Sequence, residues 1–96
     1  MKIVFLPTVG NDLRWFKRYY TEVFPEGRQR AETQYRALLQ LLKTNPKVGR
    51  QSRYAVGVRT FPITRTPFAV LYRVMPDRIE ILRIYDQRSE IGRAHV

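Results

Sequence analysis

Three stretches in the last third of the chain carry the two-residue period of β-strands: Tyr54 to Phe61, Pro67 to Val74 and Arg78 to Tyr85. They are rich in β-branched and aromatic residues and are separated by turn chemistry. Met75-Pro76-Asp77-Arg78 is a compact turn in which Pro76 presets φ at the first central position, so the second and third stretches are expected to form an antiparallel hairpin. The last stretch has apolar residues on both faces, Ile79 and Ile81 against Leu82 and Ile84, the pattern of an interior strand. Pro62 cannot donate to a ladder, which makes the first stretch an edge strand or ends it there.

A different period governs the first half. Lys2 to Leu6 reads as a short strand stopped by Pro7. Thr8 is placed to cap a helix, with Asp12 in its first turn favouring the positive helix end. Val9, Leu13, Phe16 and Tyr20 then fall on one helical stripe, with Trp15 and Tyr19 beside it. Phe24-Pro25-Glu26-Gly27 breaks this helix. A second helix is expected from about Arg28 to Lys43, carrying Ala31, Tyr35, Leu38 and Leu42 on the same spacing, with Ala37 and Leu41 widening the face. Two helices with matched stripes and a short link form an αα-hairpin. Asn45-Pro46 ends it, and Pro46 to Arg53 reads as a basic loop leading into the strands.

The element order is therefore β-αα-βββ. The expected class is α+β, an antiparallel β-sheet with an N-terminal αα-hairpin packed on one face. Ninety-six residues make one domain, residues 1–96, with a tail frayed after about residue 88. No apolar run approaches the roughly 20 residues of a bilayer crossing, and the N-terminal apolar stretch is too short for a secretory signal. Without cysteine there is neither a disulfide framework nor a thiolate metal site. The expected location is the cytoplasm, with no membrane partner.

Charge changes the picture most. Eighteen Lys and Arg against eight Asp and Glu give a formal net charge of +10, and most of the cations are arginine. No acidic residue lies between Glu32 and Asp77, a span that holds Arg36, Lys43, Lys47, Arg50, Arg53, Arg59, Arg65 and Arg73. Such a field suits a polyanion, either nucleic acid or an acidic protein segment. The bland alternative is a solvated basic surface.

Three segments carry a resemblance. They are Asn45-Pro46-Lys47-Val48-Gly49-Arg50; Val58-Arg59 followed by Arg65-Thr66-Pro67-Phe68 and Leu71-Tyr72-Arg73-Val74; and Ile79-Glu80-Ile81-Leu82-Arg83-Ile84 before Asp86-Gln87-Arg88. In order and spacing they resemble the RelE/ParE superfamily, the toxins of bacterial type II toxin–antitoxin pairs. The resemblance implies a growth-arresting toxin held inactive by a cognate antitoxin, which wraps an acidic or amphipathic segment over it and alone carries the pair to operator DNA. It implies one of two targets. ParE-like members poison DNA gyrase without being nucleases, whereas RelE-like members are endoribonucleases that cut mRNA on the ribosome. The RelE-like pattern has an arginine three residues before the tyrosine of the third strand, and this chain has Ala69. Many members have a histidine after the final strand, where this chain has Asp86. Both departures lean the reading towards the gyrase inhibitor.

If the chain is an enzyme, it is a metal-independent endoribonuclease whose site would draw on Arg59, Arg73, Arg83, Tyr85 and Arg88, with Tyr85 or Asp86 handling protons. Arginine stabilises charge but takes no proton, and tyrosine and aspartate need large pKa shifts for that work near neutrality. His95, next to last, is set aside. As a binding protein, its target-contacting cations would be Arg50, Arg59, Arg65, Arg73, Arg83 and Arg88, with Trp15 and Tyr19 meeting a protein partner. Asp77 with Glu80, and Asp86 with Glu90, read as surface counter-charges and not as a metal site, and no cofactor is expected.

Overall fold

The computed structural model describes residues 1–53 and 55–88. Strand β1 (Lys2–Phe5) leads into helix α1 (Val9–Arg18), which widens through a π turn at Tyr19–Val23. A 3₁₀ turn at Pro25–Gly27 links it to α2 (Arg28–Thr44). The chain then forms β2 (Arg50–Gln51), β3 (Val58–Pro62), β4 (Phe68–Val74) and β5 (Arg78–Asp86). Tyr20, four residues after Phe16 at the start of the π turn, continues the buried stripe begun by Val9 and Phe16. Both helices pack on one face of a five-stranded sheet ordered β1-β5-β4-β3-β2.

The α+β class and the helical hairpin are as the pattern implies, and β3, β4 and β5 pair antiparallel. The sheet is nevertheless mixed, because β1 lies parallel to β5, with Lys2 opposite Arg78 and Phe5 opposite Ile81. Both helices and three strands separate β1 from β5 in the chain, the long connection that a parallel pair needs. The basic loop also contributes a strand, since Arg50 and Gln51 pair with Thr60 and Arg59. The strand expected from Tyr54 begins only at Val58: Gly57 holds φ +78°, a turn conformation suited to glycine. Tyr54 and the tail beyond Arg88, with Glu90 and His95, lie outside the described residues.

A β-bulge settles the apolar pattern of β5. Leu71 pairs with Arg83 and Tyr72 with Ile81, so Leu82 is the extra residue. It resets the two-residue parity, and Ile79, Ile81 and Ile84 all enter the helix-side core together. They meet Phe68, Val70 and Tyr72 of β4 and Phe16, Tyr20, Leu38 and Leu42 of the helices. Each such side chain contributes about 1.5–3 kcal/mol through burial.

Below β1 the edge of β5 is covered by α1. The Thr8 hydroxyl, at the helix start, donates to Leu82 O (3.1 Å) and makes no cap bond to its own helix. Asp12 accepts the Ile84 N–H at 3.0 Å. That carboxylate is buried, not a solvated helix-end charge.

Candidate functional site

The sheet face opposite the helices carries most of the residues singled out by sequence. Pairing across the strands aligns Arg50, Thr60, Leu71 and Arg83 in one row, and Val58, Arg73, Glu80 and Val4 in another. Ala69 and Tyr85 form a third pair. The Tyr85 hydroxyl spans β4 to share a 2.7 Å hydrogen bond with the Thr60 hydroxyl. Ala69, the β4 neighbour of Tyr85 in the register, lies on the same face and is 2% exposed. Only a small side chain on β4 leaves the phenol that path. Arg50, Pro62 and Gln87 join Thr60, Ala69 and Tyr85 in lining a shallow cleft of about 370 Å³.

The arginines that β4 and β5 place on this face are engaged with carboxylates. Arg73 donates from Nε (3.1 Å) and Nη2 (2.5 Å) to one oxygen of Glu80, and Arg78 donates from Nε (2.9 Å) to the other. Arg78 also pairs with Asp77 at 2.7 Å. Hydrogen bonds from Arg73 hold the Glu80 carboxyl below its ordinary range, with Arg78 adding to the effect against the opposing cost of burial. Arg83 makes a bidentate pair with Asp12, at 2.7 and 3.1 Å, across the strand edge that β1 leaves uncovered. Glu80 and Asp86, expected as surface counter-charges, are buried.

Arg88 forks onto Asp86 at 3.1 and 2.8 Å and lies 5.9 Å from the centre of the Tyr19 ring. Its pKa is raised, foremost by Asp86 and then by Tyr19. Asp86 pairs in register with Phe68 on the helix side of the sheet. Arg88 and Asp86 therefore stand apart from Tyr85, which points to the other face.

Arg59 also faces the helix side, where Nη1 donates to Gly49 O at 2.6 Å and weakly to Lys47 O at 3.4 Å. It clamps the loop after α2 together with Tyr72, whose hydroxyl donates to Pro46 O and accepts the Gly49 N–H, both at 2.8 Å. A Cβ on Gly49 would fall 2.6 Å from that hydroxyl and 2.8 Å from Thr60 O. The close approach explains the glycine of the Asn45-to-Arg50 motif. Burial raises the Tyr72 pKa, opposed by its bond with Gly49 and by the Arg59 charge.

Two of the expected target cations, Arg50 and Arg65, have no carboxylate partner among the described residues. Arg50 is exposed on the two-residue edge strand. Arg65 is exposed in the β3–β4 turn at φ +66°, a strained conformation for a side chain other than glycine.

On the helix side, Trp15 is 38% exposed and packs edge-on to Phe68, with ring centres 5.0 Å apart. Tyr19 is half-buried and packs on Phe68 at 5.2 Å. A separate cleft of about 410 Å³ lies between α1 and α2, where Leu13, Phe16, Ala31 and Tyr35 supply apolar surface and Arg14 and Lys17 supply charge.

Among the described residues no group of three or more His, Asp or Glu is placed to hold a metal ion. Nor is any described helix long and apolar enough to cross a membrane. Sequence reasoning overlooked the structural roles of Asp12, Glu80 and Asp86. A signal existed for the first: Asp12 sits on the helical stripe between Val9 and Phe16.

Residues 3–91 match the family described as the ParE toxin of type II toxin-antitoxin system, parDE. Among solved structures, a chain of "Chromosomal ParDE TA system from P. aeruginosa" matches with TM-score 0.70 and 29% identity. The match covers 90% of this chain and 95% of that one. No curated protein sequence gives a match.

Proposed function

Because the chain belongs to the ParE toxin family of type II toxin–antitoxin systems, we propose that it arrests growth by binding DNA gyrase without cutting nucleic acid, and that a cognate antitoxin neutralises it. The observation that carries this reading is Ala69, buried beneath the Tyr85–Thr60 hydrogen bond. An arginine stands at this position in the ribonuclease pattern. A preorganised cation there would stabilise the extra negative charge of RNA cleavage, and losing one such donor costs about two to three powers of ten in rate. Here the position offers a methyl group, and the nearest phenol is already hydrogen-bonded.

The disposition of the arginines supports the same reading. Arg73 and Arg83 are anchored to Glu80 and Asp12, Arg88 lies with Asp86 away from Tyr85, and Arg59 is spent on the loop carbonyls. This arrangement suits a rigid binding surface better than a cluster of cations converging on one phosphate. Arg50 and Arg65, with the exposed outer edges of Arg73 and Arg83, are the contacts we assign to the target. Trp15 and Tyr19, which pack on Phe68, are assigned to the antitoxin. Operator DNA is met only through that antitoxin.

Two assays on purified toxin separate the targets. Inhibition of gyrase supercoiling, with a defined mRNA left intact in a translating ribosome reaction, is the expected result. New mRNA ends at codon positions, appearing only with ribosomes and with gyrase unaffected, would instead establish a RelE-like endoribonuclease.

A further inference from the structure

The β3–β4 turn holds, among the described residues, the one positive φ outside glycine. The Thr66 N–H donates to Ile63 O at 3.1 Å, so residues 63–66 form a tight turn with Arg65 at its third position. A φ of +66° there calls for glycine or asparagine. An L side chain in the left-handed region crowds its own backbone, and such a conformation persists only where the surroundings enforce it. Here they enforce it from both sides. Ile63 is fully buried, and its N–H donates to Phe68 O at 2.9 Å. The Thr66 hydroxyl donates to Ile63 O at 2.8 Å and accepts the Phe68 N–H at 3.0 Å. Pro62 and Pro67 restrict φ before and after the turn.

Glycine would satisfy this backbone without strain, so the turn itself gives no reason for an arginine. Packing gives none either, because Arg65 is exposed and has no carboxylate partner among the described residues. Nor does a general positive field. Thr64, also exposed and without a positive φ, could carry the guanidinium one residue away and leave position 65 to glycine. Long-range attraction acts over a Debye length of about 8 Å and does not distinguish such neighbours. Phosphates repeat along nucleic acid, so a contact with its backbone tolerates the same shift. What position 65 alone supplies is a direction. The turn fixes where the side chain starts, and no carboxylate fixes where it ends. A guanidinium kept there against the preference of the fold suits a single anionic group in a fixed place. Its planar fork matches a carboxylate through two parallel hydrogen bonds.

We propose that Arg65 is a specificity-determining contact with the gyrase protein, its guanidinium forking onto an aspartate or glutamate carboxylate of that partner. The assignment rests on the gyrase reading given above and narrows it: at this turn the toxin meets the enzyme and not the enzyme's DNA. Charge complementarity favours the pair, since the chain carries +10 and has no acid between Glu32 and Asp77 to compete for the guanidinium from nearby in sequence. Relaxing the turn should therefore stabilise the toxin and disable it together.

The test compares the full chain with Arg65→Gly and with the exchange Thr64→Arg plus Arg65→Gly, which keeps the net charge and moves the guanidinium by one residue. Both variants should melt roughly 2–8 °C above the parent, because glycine takes the positive φ without strain. Both should inhibit gyrase supercoiling at least tenfold less strongly than the parent. Arg65→Lys, which keeps the charge but loses the fork, should also inhibit less strongly. An exchange variant as potent as the parent would show that a diffuse field suffices and would overturn the assignment. Variants that lose inhibition and also melt below the parent would overturn it too, since the arginine would then be serving the fold. Anisotropy of a labelled DNA duplex without gyrase separates the remaining source. Arg65→Gly should bind that duplex within about twofold of the parent, one charge among many being lost. A drop in duplex binding as large as the drop in inhibition would make a DNA phosphate the partner and overturn the carboxylate. If the parent leaves gyrase unaffected, the gyrase reading falls, and this contact with it.

Discussion

Gly49→Ala is the substitution whose cost the structure defines most closely. The added Cβ would meet Tyr72 Oη at 2.6 Å, Thr60 O at 2.8 Å and Tyr72 Cε1 at 2.9 Å. None of these atoms yields easily. The Tyr72 ring is fully buried, its hydroxyl is bonded to Pro46 O and Gly49 N, and Thr60 O belongs to the backbone of β3. Overpacking of this kind costs about 1–3 kcal/mol. Displacing the loop also weakens the bonds of Gly49 with Tyr72 and Arg59, at about 0.5–1.5 kcal/mol each. The sum of about 2–6 kcal/mol is a large share of a small domain's stability. At roughly 4–8 °C per kcal/mol, the melting temperature should drop by at least about 8 °C. Urea unfolding of Gly49→Ala, Tyr72→Phe and the double variant completes the assay. Tyr72→Phe alone leaves the buried Gly49 N–H without its acceptor and should cost about 1–3 kcal/mol. In the double variant the worst collision is gone, so the two costs should combine to at least 0.5 kcal/mol less than their sum. Strict additivity, or a Gly49→Ala variant as stable as the parent, would refute the account of this motif.

Asp12→Ala removes the acceptor of the buried Ile84 N–H and should destabilise by about 2–3 kcal/mol, whereas Arg83→Ala, at a side chain 56% exposed, should cost about 1 kcal/mol; urea midpoints that reverse this order would contradict the assignment. Growth arrest on expression should be abolished by Arg73→Ala or Arg83→Ala in folded protein, and unchanged arrest would remove them from the target surface. Because the Glu80 carboxyl is held below its ordinary value of 4.5, its contribution to stability is full above that pH and is lost as pH falls through the lower, folded value. Melting temperatures from about pH 7 to pH 3 should therefore fall less steeply for Glu80→Gln, which starts lower at neutrality; parallel curves would exclude Glu80 from the acid transition. Arg50→Ala and Arg65→Ala should leave stability within about 0.5 kcal/mol and weaken gyrase inhibition in the supercoiling assay, so inhibition at the parent level would count against both contacts.

The helices and the three C-terminal strands were legible because their signals are local. The stripe of Val9, Leu13, Phe16 and Tyr20 and the alternation of Phe68 to Val74 each report one burial face within a few residues. The parallel seat of β1 depends on where the crossover returns, which no local pattern states. The bulge at Leu82 hid in plain view: Ile79, Ile81 and Ile84 can share a face only if one residue is looped out, yet the same letters fit an ordinary interior strand. Arg73 and Arg83 stood out in sequence as charges inside apolar strands, and both do lie on the face opposite the helices. Their partners were less visible, because Asp12 is 71 positions from Arg83 and Glu80 pairs with Arg73 only through the hairpin register. The Asn45-to-Arg50 motif was recognised by likeness alone. Its physical basis, a backbone passing too close to Tyr72 for any Cβ, needs the fold.

The acids, scarce as they are, decide what the basic field can do. Asp12, Glu80 and Asp86 are buried, and each takes up at least one strand-borne or strand-end arginine. Among the described residues, the cations without a carboxylate partner lie mostly on the helices, as Arg14, Lys17, Arg30 and Arg36 do, and on the loops and short edge strand, as Lys47, Arg50, Arg53 and Arg65 do. Loop cations spread over a surface steer a polyanion at long range and lose strength with salt, within a Debye length of about 8 Å at physiological ionic strength. Catalysis asks for the reverse, a few charges fixed at hydrogen-bond distance from one developing oxyanion. Arg73, Arg78 and Arg83 have that rigidity, but they have it because carboxylates hold them, and those carboxylates oppose an incoming phosphate. Rigidity and free positive charge are therefore separated in this fold, which supports a toxin that works by holding its target and not by cutting it.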